Sequence, residues 1–394
     1  MNSYRIKDEG LASQIDERDM EWTRYITPIT QYACEKISKR DYSGKKMAYW
    51  GHILQQSLHW LIPLKQTGVE IVAGACNVDS TDDAAAAYLV AHGINVYGWK
   101  GMTQQDYQEN MAHVRAFDAD YLCAMGGDIT VAYLSKQPPV KGALEATTSG
   151  IKLLEQHSLP FPVFDWNGIR LKDRLENRFH VGDTIWPAFS LVTGGLSLFG
   201  RRVLVIGYGP VGKGIAERAR NLGAIVAVAE KDPLRLLEAR YHGCETVSLE
   251  EGLSSCHIIV TATGVDGVLK EKNLLHINKN AFVFNAGHTN KEIDIDWLYS
   301  LPYKEMKDQI DRFDLGETHF FLLGKGSLLN LAVDTGAHGT DLFDHYTAVM
   351  LLGMAWMFDG IPDVVPKGIQ PYPVNLEQEI AELSLKYYFD YSLP

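Results

Sequence analysis

Three glycines within VIGYGPVGKG, residues 205–214, carry the most specific chemistry in this chain. Gly207, Gly209 and Gly212 spell GxGxxG between a β-branched run, VLVI, and a helical stretch, VGKGIAERARNLG, that stops at Gly223. The first glycine of such a turn allows a tight reversal. The second lets a pyrophosphate approach the backbone, and the third brings helix and strand together. The helix then offers unpaired N–H groups and its positive dipole end to phosphate. Glu230 closes the next apolar run, IVAVAE, where a carboxylate pairs with the adenosine ribose hydroxyls and repels a 2′-phosphate. The pattern predicts a dinucleotide, NAD in preference to NADP.

Other residues offer proton chemistry. His52 in YWGHILQQSLHW is an imidazole of the kind that moves protons near neutral pH. His288 in NAGHTN follows a strand candidate, at the end where parallel sheets bind ligands. In DWNGIRLKDRLENR, Lys172 and Glu176 are four residues apart, and from spacing alone they read as a solvated surface pair. Thr147, Thr148 and Ser149 in EATTSG read locally as a helix cap or turn.

The elements that must position these groups alternate. After VLVI and IVAVAE come HIIVTAT and AFVFNAG, each separated by a helix-length segment. That is the rhythm of a doubly wound parallel sheet, a Rossmann-type α/β domain. KMAYWG, VEIVAGACN, NVYGWKG and ADYLCAMGGD repeat the rhythm earlier without a glycine cradle. The expected layout is a substrate domain over 1–183, completed by 352–394, and an NAD domain over 184–351. The amphipathic NLEQEIAELSLKYY could return to either.

Composition narrows the function. With 37 Lys and Arg against 49 Asp and Glu in 394 residues, the net charge is −12, a poor match for nucleic acid or anionic lipid. The longest apolar run, AVMLLGMAWMF, is too short to span a bilayer, and MNSYRIKDEG has no secretory core. Five scattered cysteines without a CxxC pair point to reduced thiols in the cytoplasm, with no disulfide frame and no structural zinc.

GYGPVGKG, NAGHTNKEIDIDWL, CNVDSTDDAAAAYL, VYGWKG, GGDIT, EATTSG and NLAVDTGAHG together resemble the S-adenosyl-L-homocysteine hydrolase family, in the family's order. The resemblance implies tightly held NAD, oxidation of a nucleoside 3′-hydroxyl, elimination of the 5′ substituent, water addition, and return of the hydride. It implies a small nucleoside substrate and a homo-oligomer, a dimer or tetramer.

The resemblance also assigns residues. Lys172 would deprotonate the 3′-hydroxyl, with Asn167, Glu176 and Asn177 beside it. His52 and Asp128 would serve the 5′ side, and His288 would lie by the nicotinamide. Gln56 would read the base edge, with His338 also on the substrate side. Thr147, Thr148, Ser149, Thr263, Asn285 and Asn330 would join Gly207, Gly209, Gly212 and Glu230 in holding NAD.

The chain departs from the family in places. Met125 stands where the family has an aspartate, and Ala146 where it has a second glutamate. Gln56 and Glu176 replace an acid and an aspartate. Losing a buried charged partner removes about 2–5 kcal/mol of recognition. The family's C-terminal Lys/Tyr tail is missing, with Lys386 or Tyr388 as stand-ins. These changes leave a lyase that omits hydration, an NAD-binding pseudoenzyme, and a plain dehydrogenase as alternatives to the hydrolase.

Overall fold

The computed structural model describes residues 4–78, 80–287, 290–316, 318–333 and 343–391. In chain order the first strands are β1 (Lys46–Gly51), β2 (Glu70–Ala75), β3 (Asn95–Tyr97), β4 (Tyr121–Ala124), β5 (Gly142–Glu145) and β6 (Pro162–Asp165). Next come β7 (Arg202–Ile206), β8 (Ile225–Ala229), β9 (Glu245–Thr246), β10 (Ile258–Thr261) and β11 (Ala281–Asn285). The last are β12 (Tyr303–Lys307), β13 (Ile310–Leu315), β14 (Thr318–Leu323) and β15 (Gly368–Pro371). They form two sheets, one in each of two compact units: Met1–Lys172 with His338–Pro394, and Asp173–Ala337.

The first unit has the parallel order β15-β6-β5-β4-β1-β2-β3. Five of the six residues in β1 and in β2 are buried, as expected of strands covered on both faces. Read from β3, the order runs 3-2-1-4-5-6, so connections reverse direction between β1 and β4. A crevice opens at the carboxyl ends of strands at such a reversal.

C-terminal segments complete this unit. Asp344, fully buried at the start of the Asp344–Gly360 helix, accepts the Ile29 and Thr30 N–H groups at 2.9 and 2.6 Å. Those donors open the Pro28–Ser38 helix, so one carboxylate caps a helix remote in sequence. The Tyr388 hydroxyl donates to Asp344 at 2.6 Å, docking the Val374–Phe389 helix here. The Tyr388 hydroxyl is thus engaged within its own unit.

The second unit has the order β12-β13-β14-β11-β10-β7-β8-β9. Its parallel part repeats 3-2-1-4-5-6, with the reversal between β7 and β10. Antiparallel pairing of β12, β13 and β14 extends the far edge, which the alternating parallel pattern did not anticipate. The unit begins at Asp173 rather than at 184 because the following helix belongs to its core. Ile185, Trp186 and Phe189 of Val181–Thr193 are buried there, and Trp186 Nε1 donates to Ile215 O at 3.1 Å.

Candidate active site

In the first unit, the chemistry-bearing residues gather at the carboxyl ends of strands beside the reversal. His52 follows β1 directly and is half-buried, with Nδ1 2.6 Å from Ser80 Oγ. The Tyr49 and Ser57 hydroxyls both donate to the His52 carbonyl at 2.9 Å, fixing the backbone that carries the ring. Gln56 lies in the first turn of the Gln55–Gln66 helix that comes next.

Across the reversal, Met125 follows β4 and is 4% exposed. Asp128 opens the short helix Asp128–Ala132 after two left-handed glycines, Gly126 and Gly127. One carboxylate oxygen accepts the Tyr107 hydroxyl, and the other accepts the Ile129 N–H at 2.8 Å. Burial raises the Asp128 pKa, against the lowering effect of Tyr107.

Glu145, at the end of β5, is a feature the sequence reading missed. It is fully buried, and Oε1 accepts from Gly126 N, Thr147 N and Thr147 Oγ1 at 3.0, 3.0 and 2.7 Å. Oε2 is buried with no partner among the described residues. Burial pushes this carboxyl up to about 8, and the Thr147 and Gly126 bonds only partly counter it. It thus ties the loop after β4 to the loop after β5. Ala146 beside it is buried.

Thr147 is the N-cap of the helix Thr148–Leu154, its hydroxyl accepting Gly150 N at 3.0 Å. Ser149 Oγ lies 3.4 Å from Thr147 Oγ1. Thr148 is exposed, and its hydroxyl accepts from Asn167 Nδ2 at 3.0 Å. The structure therefore brings together Thr148 and Asn167, which the sequence places after different strands.

Lys172 is half-buried, with Nζ 4.8 Å from the centroid of the Tyr346 ring. Trp166 packs on that ring at 5.1 Å, and the Tyr346 hydroxyl reaches Met125 Sδ at 3.5 Å. Lys172, Glu176 and Asn177 lie in Leu171–His180, which winds with the wider turns of a π-helix. Glu176 is 5% exposed, so the surface-pair reading fails.

In the second unit, Gly207 takes φ +94, open to glycine at little cost. A methyl group on Gly212 would run into the Gly207 carbonyl. The Pro210–Asn221 helix has proline at its start and no side-chain cap, so its first N–H groups suit an anion. Glu230, just after β8, accepts Tyr208 N at 2.7 Å, Lys231 N at 2.6 Å and Asp232 N at 3.1 Å. Burial pushes its pKa up, but those N–H groups, together with the Arg235 charge, outweigh burial and keep the carboxyl below its ordinary range.

Across this reversal, Thr263 follows β10 and is bound through N and Oγ1 to the buried Glu292, at distances from 2.8 to 3.1 Å. Glu292 was not anticipated, although it lies within the NAGHTNKEID stretch. Asn285 is fully buried; Oδ1 accepts from Thr261 Oγ1 and Gly287 N, and Nδ2 donates to Gly287 O. That shapes the strand end, and full burial removes Asn285 itself from direct contact with a cofactor. Asn330 Nδ2 donates to Thr184 at 3.1 Å, while its buried Oδ1 has no partner among the described residues. His288 and His338 lie outside the described residues.

The cradle, the uncapped helix, the acid after β8 and the Asn330 acceptor fit a dinucleotide.

Comparison with known proteins agrees with this chemistry. Residues 4–150 match the S-adenosyl-L-homocysteine hydrolase family model, and residues 188–336 match the NAD binding domain of the same enzyme. A protein named S-inosyl-L-homocysteine hydrolase from Methanocaldococcus jannaschii is 30% identical over 97% of this chain and 94% of its own length. An adenosylhomocysteinase from Sulfurisphaera tokodaii is 29% identical over the same shares.

Proposed function

The chain belongs to the S-adenosyl-L-homocysteine hydrolase family, and from that premise we propose that it cleaves the 5′ thioether of a purine-nucleosyl homocysteine, S-adenosylhomocysteine or its 6-oxo counterpart. It is an NAD-dependent enzyme of hydrolase type. The named relatives are hydrolases, which favours this reading over the lyase, pseudoenzyme and dehydrogenase alternatives.

NAD, when bound, supplies a hydride acceptor that also gives the hydride back, so the net reaction is hydrolysis. Lys172 Nζ takes the proton of the 3′-hydroxyl, and the Tyr346 ring holds the resulting ammonium by its negative face. Glu176 and Asn177 follow on the same helix as polar supports. His52, tied at Nδ1 to Ser80, exchanges protons at the 5′ side through Nε2. Met125 offers only a weak thioether acceptor there, so that work rests on the imidazole. Asp128 serves as a positioning residue, its oxygens engaged by Tyr107 and Ile129.

On the cofactor side, Glu230 receives the adenosine ribose and Gly207, Gly209 and Gly212 bound the phosphate turn. Thr147, Thr148, Ser149, Thr263 and Asn330 orient the nicotinamide half, and His288 and His338 stand as further candidates. Gln56 reads the base. An amide can both donate and accept, so it pairs with a 6-amino or a 6-oxo purine edge by rotating its terminal group. The working form is a homo-oligomer of the cytoplasm; among the described residues, no helix is long and apolar enough to cross a membrane.

The observation that carries this reading is Lys172 seated on Tyr346, in the same unit as His52 at the strand reversal. The test is to incubate the purified chain with S-adenosylhomocysteine and follow free thiol together with reduced-nicotinamide absorbance. Thiol release with a transient, non-accumulating absorbance supports it. Absorbance that accumulates with turnover would show an ordinary dehydrogenase instead.

A further inference from the structure

The adenosine end of the cofactor site contains a cation that no sequence motif marks. Arg235 lies in the first turn of the Pro233–Tyr241 helix, just after β8. Its Nη1 is the group nearest to any side chain built on Gly209, at 3.6 Å from the Cβ position. Gly209 is the glycine that lets a pyrophosphate approach.

The Arg235 guanidinium is loosely held. It lies 3.8 Å from Glu230 Oε2 and 3.6 Å from Asp232 Oδ2, both beyond hydrogen-bond distance, and its side chain is 48% exposed. Three backbone N–H groups hold the Glu230 carboxylate, to which Arg235 adds only an attraction at 3.8 Å. Lys213, the other cation by the turn, is committed to Glu238 at 2.6 Å. A half-exposed guanidinium therefore stands by the glycine turn, beside a helix start without a side-chain cap.

We propose that Arg235 is a cofactor-gripping residue, its guanidinium pairing with the phosphate next to the adenosine ribose of the dinucleotide. The proposal rests on the NAD reading above. Guanidinium presents a planar fork that fits phosphate oxygens in pairs, which lysine cannot reproduce. Binding exchanges one loose contact for another: the guanidinium leaves Glu230 for phosphate, and the ribose hydroxyls take its place on the acid. Glu230 beside it weighs against a 2′-phosphate as the ligand.

Equilibrium dialysis of NAD, ADP-ribose, nicotinamide mononucleotide and NADP against the full-length chain, Arg235→Ala and Arg235→Lys tests this. Arg235→Ala is expected to weaken NAD and ADP-ribose by the same factor, about 10- to 100-fold, from the loss of a charged hydrogen-bonded pair. Arg235→Lys recovers only part, and nicotinamide mononucleotide is unaffected. Thermal unfolding of the cofactor-free variants should match the parent, since Arg235 is half-exposed.

NAD affinity within twofold of the parent in Arg235→Ala would overturn the proposal. So would tighter binding of NADP than NAD by the parent, lost in Arg235→Ala, which would make the arginine a reader of the 2′-phosphate. A parent chain that binds no NAD would overturn the cofactor reading itself, a distinct failure.

Discussion

The Lys172 side-chain nitrogen lies 4.8 Å from the centre of the Tyr346 ring. Trp166, Phe343 and the Met125 sulfur fix that ring on its other sides. An aromatic face favours a cation by about 0.5–2 kcal/mol. Tyr346→Phe keeps the face and is expected to leave turnover within about threefold. Tyr346→Leu removes it and should lower kcat by about 2- to 30-fold at unchanged NAD affinity. Steady-state kinetics and NAD titration on both variants check the pair.

Replacing the proposed base itself is expected to have a larger effect. Lys172→Met is expected to lower the first chemical step by about 100- to 10,000-fold, the usual worth of a positioned proton acceptor. NAD should still bind, and the reduced-nicotinamide transient on adding nucleoside should disappear. A normal transient in stopped-flow absorbance would assign the proton to another group.

Base recognition is separable from chemistry. If Gln56 reads the base as proposed, Gln56→Glu places a carboxylate there that accepts from a 6-amino group but repels a 6-oxo group. The expected result is a drop of about 10- to 100-fold in kcat/KM for the 6-oxo substrate, with little change for S-adenosylhomocysteine. Competition between the two thioethers measures the ratio directly.

Glu145 predicts a pH dependence of stability. Its folded pKa is raised from the ordinary carboxylate value of 4.5 to about 8. Between those values the folded chain holds a proton that the unfolded chain releases, so unfolding is favoured as pH rises. The contribution is full below pH 4.5 and is lost as pH climbs to about 8. Glu145→Gln, neutral throughout, should flatten that slope in thermal unfolding between pH 5 and pH 8. An unchanged slope would show that the acid is already ionised in the fold.

Gly212→Ala tests the close approach in the glycine turn. The added methyl meets the Gly207 backbone, which cannot step aside as a side chain could. A destabilisation of about 1–3 kcal/mol is expected, with loss of NAD binding. Denaturant unfolding and dialysis read the two effects separately.

The strand–turn–helix–strand around Gly207 was legible because each part is a local pattern of a few residues. Both parallel sheets were legible for the same reason. Tyr346 was not, since its place under Lys172 depends on a helix returning from the far end of the chain. Glu145 and Glu292 were hidden differently: acids are ordinarily exposed, and only the fold shows that backbone N–H groups surround these two. The i,i+4 spacing of Lys172 and Glu176 misled because spacing gives no sign of burial, and Glu176 is buried in the fold. The β12–β14 edge was missed because its exposed, charged start, YKEMK, does not read as a strand.

The sheet of the first unit is closed by β15, and its buried Asp344 waits for Tyr388. During synthesis, Asp173–Ala337 leaves the ribosome as an uninterrupted stretch, able to fold as soon as it is out. The first unit stays incomplete until the segments after residue 337, β15 among them, have followed. For the nascent polypeptide, the glycine cradle is whole before the other sheet is.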